Sequence, residues 1–80
     1  MKTIALNATA AKALDRIAEP HRTHIAEALA AYALGKPSDT KAMQGGRTVR
    51  MRIGDYRVIF DEHEKLLEVL AVGHRREIYR

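Results

Sequence analysis

TVRMRIGDYRVIFD, Thr48–Asp61, alternates apolar and polar residues on either side of Gly54-Asp55. Val49, Met51 and Ile53 alternate with Thr48, Arg50 and Arg52, and Tyr56, Val58 and Phe60 alternate with Arg57, Ile59 and Asp61. Successive side chains of a strand point to opposite faces, so a period of two interrupted by a Gly-Asp pair predicts a β-hairpin. A two-residue turn fixes the register: Ile53 faces Tyr56, Arg52 faces Arg57, Met51 faces Val58, Arg50 faces Ile59 and Val49 faces Phe60. All the apolar side chains of one face then coincide. The other face gathers Arg50, Arg52 and Arg57, with Arg52 directly opposite Arg57, a like-charge pairing that destabilises an isolated sheet.

Upstream of the hairpin, Lys2–Leu6 reads as a short first strand, with Ile4 and Leu6 on one side. Asn7 or Thr9 can cap the helix that follows, since a side-chain oxygen there accepts from a free amide of the first turn. Ala10, Ala11, Leu14, Ile17 and Ala18 form its apolar stripe. Pro20 closes this helix and can open a second, whose stripe is Ile25, Ala28, Leu29, Tyr32 and Ala33 and whose stop is Gly35 with Lys36-Pro37. Ser38–Gly46 is rich in turn formers and reads as a loop. Downstream, after a polar loop, LLEVLAV (Leu66–Val72) is apolar on both sides, as expected of an interior strand covered on each face. The polar tail HRREIYR follows Gly73. The fold class expected is α+β: a single small domain over residues 1–80, with an N-terminal strand, a helical hairpin and a three-stranded antiparallel meander.

With 46% hydrophobic and 30% charged residues in an 80-residue chain, the composition is that of one folded domain. There is no cysteine, which excludes a disulfide framework and a thiolate metal site and fits a reducing cytoplasm. No run approaches the ~20 apolar residues of a membrane span, and the first residues are charged too early for a signal peptide. Neither membrane association nor secretion is expected. Lys and Arg number 14 against 10 acidic residues, a net charge of +4, which favours a polyanionic partner.

The arginine face concentrates that charge. A planar guanidinium fork matches phosphate or carboxylate and donates two hydrogen bonds at once, so an anionic ligand would offset the repulsion between Arg52 and Arg57. Solvated strand residues paired with Asp61, Glu62 or Glu68 are the simpler alternative. The tail adds His74, Arg75, Arg76 and Tyr79 at one end of the sheet. An imidazole, guanidinium groups and a phenol together can perform acid–base chemistry on a phosphodiester. For Tyr79 alone, residue type favours a packing role that anchors the C-terminus over a chemical one.

RMRIGDYRVIF (Arg50–Phe60), LLEVLAV and VGHRREIYR (Val72–Arg80) together resemble the RelE/ParE family of bacterial toxins from type II toxin–antitoxin systems, and the order of elements does so along the whole chain. The resemblance implies a toxin that cleaves messenger RNA on the ribosome as a metal-free endoribonuclease, the substrate's own 2′-hydroxyl being the nucleophile. It implies catalytic roles for Arg50 in holding phosphate or assisting at the attacking end, Arg57 at the phosphorane, Arg75 in supporting charge or the leaving oxygen and Tyr79 as general base, with His74 as the alternative acid–base group. Arg47, Arg52, His74 and Arg76 would bind RNA. A phenol with a pKa near 10 serves as a base only if neighbouring guanidinium groups depress that value. Thr48 stands where many members carry a lysine. The implied partners are a cognate antitoxin, mRNA and the ribosome, with no cofactor and no metal.

Two alternatives remain from the residues. A branch of the same family poisons DNA gyrase without cutting RNA; the retained set Arg50, Arg57, Arg75 and Tyr79 favours cleavage. A non-catalytic nucleic-acid-binding module would need a stacking platform, and the few aromatics, Tyr32, Tyr56, Phe60 and Tyr79, leave little of one. His21, His24, His63 and His74 show no metal-ligand spacing, and no phosphate-binding glycine loop is present.

Overall fold

Gly54 takes φ +59° while Asp55 stays at negative φ, the combination of a tight hairpin turn that favours glycine at its first central position. The register that follows pairs Arg52 with Arg57 and Val49 with Phe60, as the alternation predicts. The structure, a computed structural model, describes residues 1–43 and 45–78.

The elements run β1 (Thr3–Leu6), α1 (Ala8–Arg16), α2 (His21–Ala33), β2 (Thr40–Ala42), β3 (Thr48–Ile53), β4 (Tyr56–Glu62), β5 (Leu66–His74) and α3 (Arg75–Ile78). The strands form one five-stranded sheet in the order β1-β5-β4-β3-β2. β1 runs parallel to β5, and the other neighbours are antiparallel. The segment expected as a loop after Ser38 therefore contains β2, which extends the expected three-stranded meander to four strands. TKA has no apolar alternation to announce a strand. It is held at the edge by its pairing with β3 and by the Arg52 N–H donating to Asp39 O and the Met43 N–H to Thr48 O, both at 2.8 Å.

Asn7 is the cap of α1, its Oδ1 accepting from the Ala10 N–H at 2.7 Å. Ala10 of α1 and Ile25, Leu29 and Ala33 of α2 are buried with Val49, Met51, Val58, Phe60, Leu67, Val69 and Val72 of the sheet. Every sheet residue in that core points to one face, so the two helices cover one side and leave the other open. This corrects the expectation for β5: the strand is interior in the sheet order, but only one of its faces is packed under helices, and Leu66, Leu70 and Ala71 stay half-buried.

The register of β4 on β5 shifts between Ile59 and Phe60, where Ile59 faces Ala71 and Phe60 faces Val69. Leu70 is thus an extra residue, a bulge that reverses the alternation of everything after it. Leu67 and Val69 face the core before it, Val72 and His74 after it. Among the described residues no helix is long and apolar enough to cross a membrane.

Candidate functional site

The open face of the sheet carries the side chains that alternate with the core. β2 sets Lys41 opposite Arg50, and the hairpin sets Arg52 opposite Arg57. Asp39, Thr40, Lys41, Arg50, Arg52 and Arg57 line one hollow of about 280 Å³. Four cationic side chains from three strands converge on it with one carboxylate. Arg50 and Arg57 are half-buried and Arg52 is exposed, so the floor of the hollow is less hydrated than its rim, and charge–charge interaction there is correspondingly stronger.

Arg57 Nη1 donates to Gly54 O and Tyr56 O, each at 2.8 Å. These bonds brace the guanidinium against its own turn and, among the described residues, leave its Nε–Nη2 edge, the geometry that grips two oxygens of a phosphate. Arg52 Nε lies 3.9 Å from Asp39 Oδ2, a pair with both side chains well exposed. Its partner is therefore the lead-in to β2 rather than Asp61, Glu62 or Glu68. Lys41 escaped sequence reasoning because it lies in the segment read as a loop; the only signal was its distance in sequence from a strand edge that needed a partner.

The remaining expected residues divide. Arg75 stands at the tip of the hairpin: its N–H donates to Asp55 O at 2.8 Å, and its Nε lies 3.8 Å from Asp55 Oδ1. It is thus held to the same hairpin as Arg52 and Arg57. Arg76 is exposed in α3, its N–H donating to His74 Nδ1 at 3.2 Å. Arg47 lies beyond the opposite end of β3, with Nη1 at 2.9 Å from His63 Nδ1. Tyr79 lies outside the described residues.

His74 is not beside the arginines. The bulge at Leu70 turns it to the helix side, where its ring meets Tyr56 edge-on at 5.6 Å between centroids, and Tyr56 in turn meets His21 at 5.0 Å. Without that extra residue, His74 would share the face of Arg57; with it, the sheet separates the imidazole from the guanidinium groups. The expected placing of His74 at the RNA-binding face, whether for binding or as an alternative base, is corrected on that ground.

On the helix side, the Tyr32 hydroxyl donates to Glu62 Oε1 at 2.6 Å and Lys2 Nζ donates to Glu62 Oε2 at 2.6 Å. Burial, then the bond to Glu62, pushes the Tyr32 phenol up to about 12. The bonds from Lys2 and Tyr32 hold the Glu62 carboxyl below its ordinary 4.5. This network ties the residue before β1 and helix α2 to the end of β4.

The sequence matches the profile described as ParE toxin of type II toxin–antitoxin system, parDE, over residues 2–79. The chain belongs to the RelE/ParE family of type II toxins. A comparison with curated protein sequences found no match. Among solved structures, this RelE/ParE-family chain is similar to a chain of the RelB–RelE antitoxin–toxin complex of Methanococcus jannaschii, at 24% identity and a TM-score of 0.74, with 94% of each chain covered. It is similar to a chain of the archaeal RelE–RelB complex of Pyrococcus horikoshii at 22% identity and a TM-score of 0.78, covering 95% of this chain and 97% of that one. It is also similar to YafQ of Escherichia coli at 12% identity and a TM-score of 0.79, over 100% of both. At these identities the likeness is one of fold, and it extends over the whole domain.

Proposed function

We propose that this toxin is an endoribonuclease that cleaves messenger RNA, acting on the ribosome, with the arginine hollow of the open sheet face as its phosphate site. The observation that carries the proposal is the convergence of Lys41, Arg50, Arg52 and Arg57 on one hollow of about 280 Å³. In transesterification by the neighbouring 2′-hydroxyl, negative charge accumulates on the non-bridging oxygens of the scissile phosphate. Donors already aimed at that point favour the transition state over the ground state. Arg57 supplies a braced fork, Arg50 a second cation beside Lys41, and Arg75 a guanidinium at the hairpin tip. Tyr79 is assigned the base by resemblance alone, as the residue type that completes the set.

The partner proposed for the free toxin is a cognate antitoxin, a reading supported by the toxin–antitoxin complexes among its structural neighbours. An acidic segment laid over the hollow would satisfy the same guanidinium groups that hold RNA.

A second reading is favoured by the matching profile, which is that of ParE: poisoning of DNA gyrase, with the basic face binding protein or DNA and no RNA cut. The two are separated by a reconstituted translation reaction read for new 5′ ends of a defined message, run beside a gyrase supercoiling assay. New ends with supercoiling intact support cleavage; the reverse pattern supports gyrase poisoning.

A further inference from the structure

Asp61 of β4 and Glu68 of β5 stand directly opposite each other in the antiparallel register. Two carboxylates so placed repel, just as Arg52 and Arg57 do. His63, one residue past β4, folds back over them: its N–H donates to Leu66 O at 2.8 Å, and its Nε2 lies 3.4 Å from Glu68 Oε1. One ligand atom from each of Asp61, His63 and Glu68 lies within 4.8 Å of the other two, and all three residues are half-buried. We propose that Asp61, His63 and Glu68 bind one divalent transition-metal ion of the zinc class.

The donor set points to that class. Mg²⁺ and Ca²⁺ prefer sites made wholly of oxygen, whereas an imidazole with two carboxylates suits Zn²⁺, Co²⁺ or Ni²⁺, with water completing the coordination. Bonds of roughly 2.0–2.2 Å to nitrogen and oxygen place adjacent ligand atoms about 3 to 3.5 Å apart, so small rotations of these half-buried side chains close the present separations. The Thr48 hydroxyl donates to Asp61 Oδ1 at 2.6 Å. That bond orients the carboxylate as outer-shell partners of metal ligands do, and leaves Oδ2 for the ion.

Arg47 competes with the ion. A guanidinium offers only donors, so Arg47 Nη1 at 2.9 Å donates to His63 Nδ1, and the proton of the neutral ring sits on Nε2, aimed at Glu68. Ligation through Nε2 needs that proton on Nδ1, where it would meet the guanidinium N–H. Arg47 is exposed and must swing away for the metal to enter. The ion would sit on the open face beyond Arg50 and neutralise its two carboxylates. The sequence conceals this site because DEHEKLLE, Asp61–Glu68, brings its donors together only when β4 and β5 pair across their loop.

Titration of Zn²⁺ into the full-length protein, followed by calorimetry and by NMR of the histidine rings, tests the site. One equivalent is expected to saturate it, with His63 the ring perturbed. Affinity is expected to fall more than about tenfold in His63→Ala and in Glu68→Gln, to stay unchanged in His24→Ala, and to rise in Arg47→Ala. Should His63→Ala fail to fold, the nearly isosteric Glu68→Gln decides. Absence of saturable Zn²⁺ binding, or equal binding by the wild type and Glu68→Gln, overturns the site. An affinity unchanged or lowered by Arg47→Ala overturns the competition. None of these outcomes depends on whether the protein cuts RNA.

Discussion

Arg52 and Arg57 face each other across β3 and β4, one pair in from the turn, and each guanidinium is held by partners of its own. Arg57 bends back to the carbonyls of Gly54 and Tyr56, while Arg52 reaches toward Asp39. One like charge is thus held by two turn carbonyls and the other lies beside an exposed carboxylate.

Replacing Arg52 separates a binding role from a structural one. The Arg52–Asp39 pair is exposed on both sides, and such pairs contribute about 0 to 1 kcal/mol. Loss of the like charge offsets that contribution. Arg52→Ala is therefore expected to keep its urea midpoint within about 0.5 kcal/mol of the wild type, while its affinity for a short RNA falls and depends less steeply on salt. A large drop in the midpoint would make Arg52 structural.

Arg57 braces the turn and is proposed to hold the scissile phosphate, and two substitutions distinguish these roles. Arg57→Ala removes both turn-bracing bonds and is expected to cost about 1 kcal/mol of stability as well as the cleavage activity. Arg57→Lys keeps a cation and one donor but loses the fork. It is expected to fold nearly as well while cleavage drops roughly 10²-fold or more, the scale set by removing one oriented donor from a developing anion. Equal activity of Arg57→Lys and wild type would show that charge alone suffices.

Gly54 positions that pair, since it holds φ +59° at the turn. A side chain there meets open space, so the cost of Gly54→Ala is conformational, about 1 to 2 kcal/mol for an L residue in the left-handed region. A thermal melt should show that loss, and activity should fall with it because Arg57 is braced on the Gly54 carbonyl.

Tyr32 and Glu62 give stability a signature at each end of the pH scale. Tyr32 has its folded pKa raised to about 12 from 10.0, so its contribution is whole below pH 10 and is lost as pH rises through about 12. Glu62 has its folded pKa lowered from 4.5; its contribution is present above 4.5 and is lost as pH falls through the lower folded value. Absorbance of phenolate should show one late tyrosine titration near pH 12 that disappears in Tyr32→Phe. In that variant stability should also fall less between pH 10 and 12.

Much of this was legible in the sequence. Gly54-Asp55 fixed the hairpin register to the residue, because one buried face leaves no freedom to slip. The helical stripes of Ile25, Leu29 and Ala33 fell where the core needed them. Three features were not legible. β2 is too short and polar to show a period and exists through its edge pairing, which is how Lys41 joins the site. The parallel contact of β1 with β5 is a long-range choice that no local pattern encodes. The extra residue at Leu70 lies inside a run apolar on both sides, where a change of phase leaves no trace in composition, and it is this change that carries His74 away from Arg57.

The hollow of Arg50, Arg52 and Arg57 is proposed to serve cleavage of RNA. Primer extension on a defined message in a reconstituted translation reaction measures it most directly, with the wild type, Arg57→Lys and Tyr79→Phe compared side by side. Discrete new 5′ ends that appear with the wild type and are lost or sharply reduced in both variants are the expected result. An intact message with the folded wild-type protein, together with inhibited gyrase supercoiling, would contradict it.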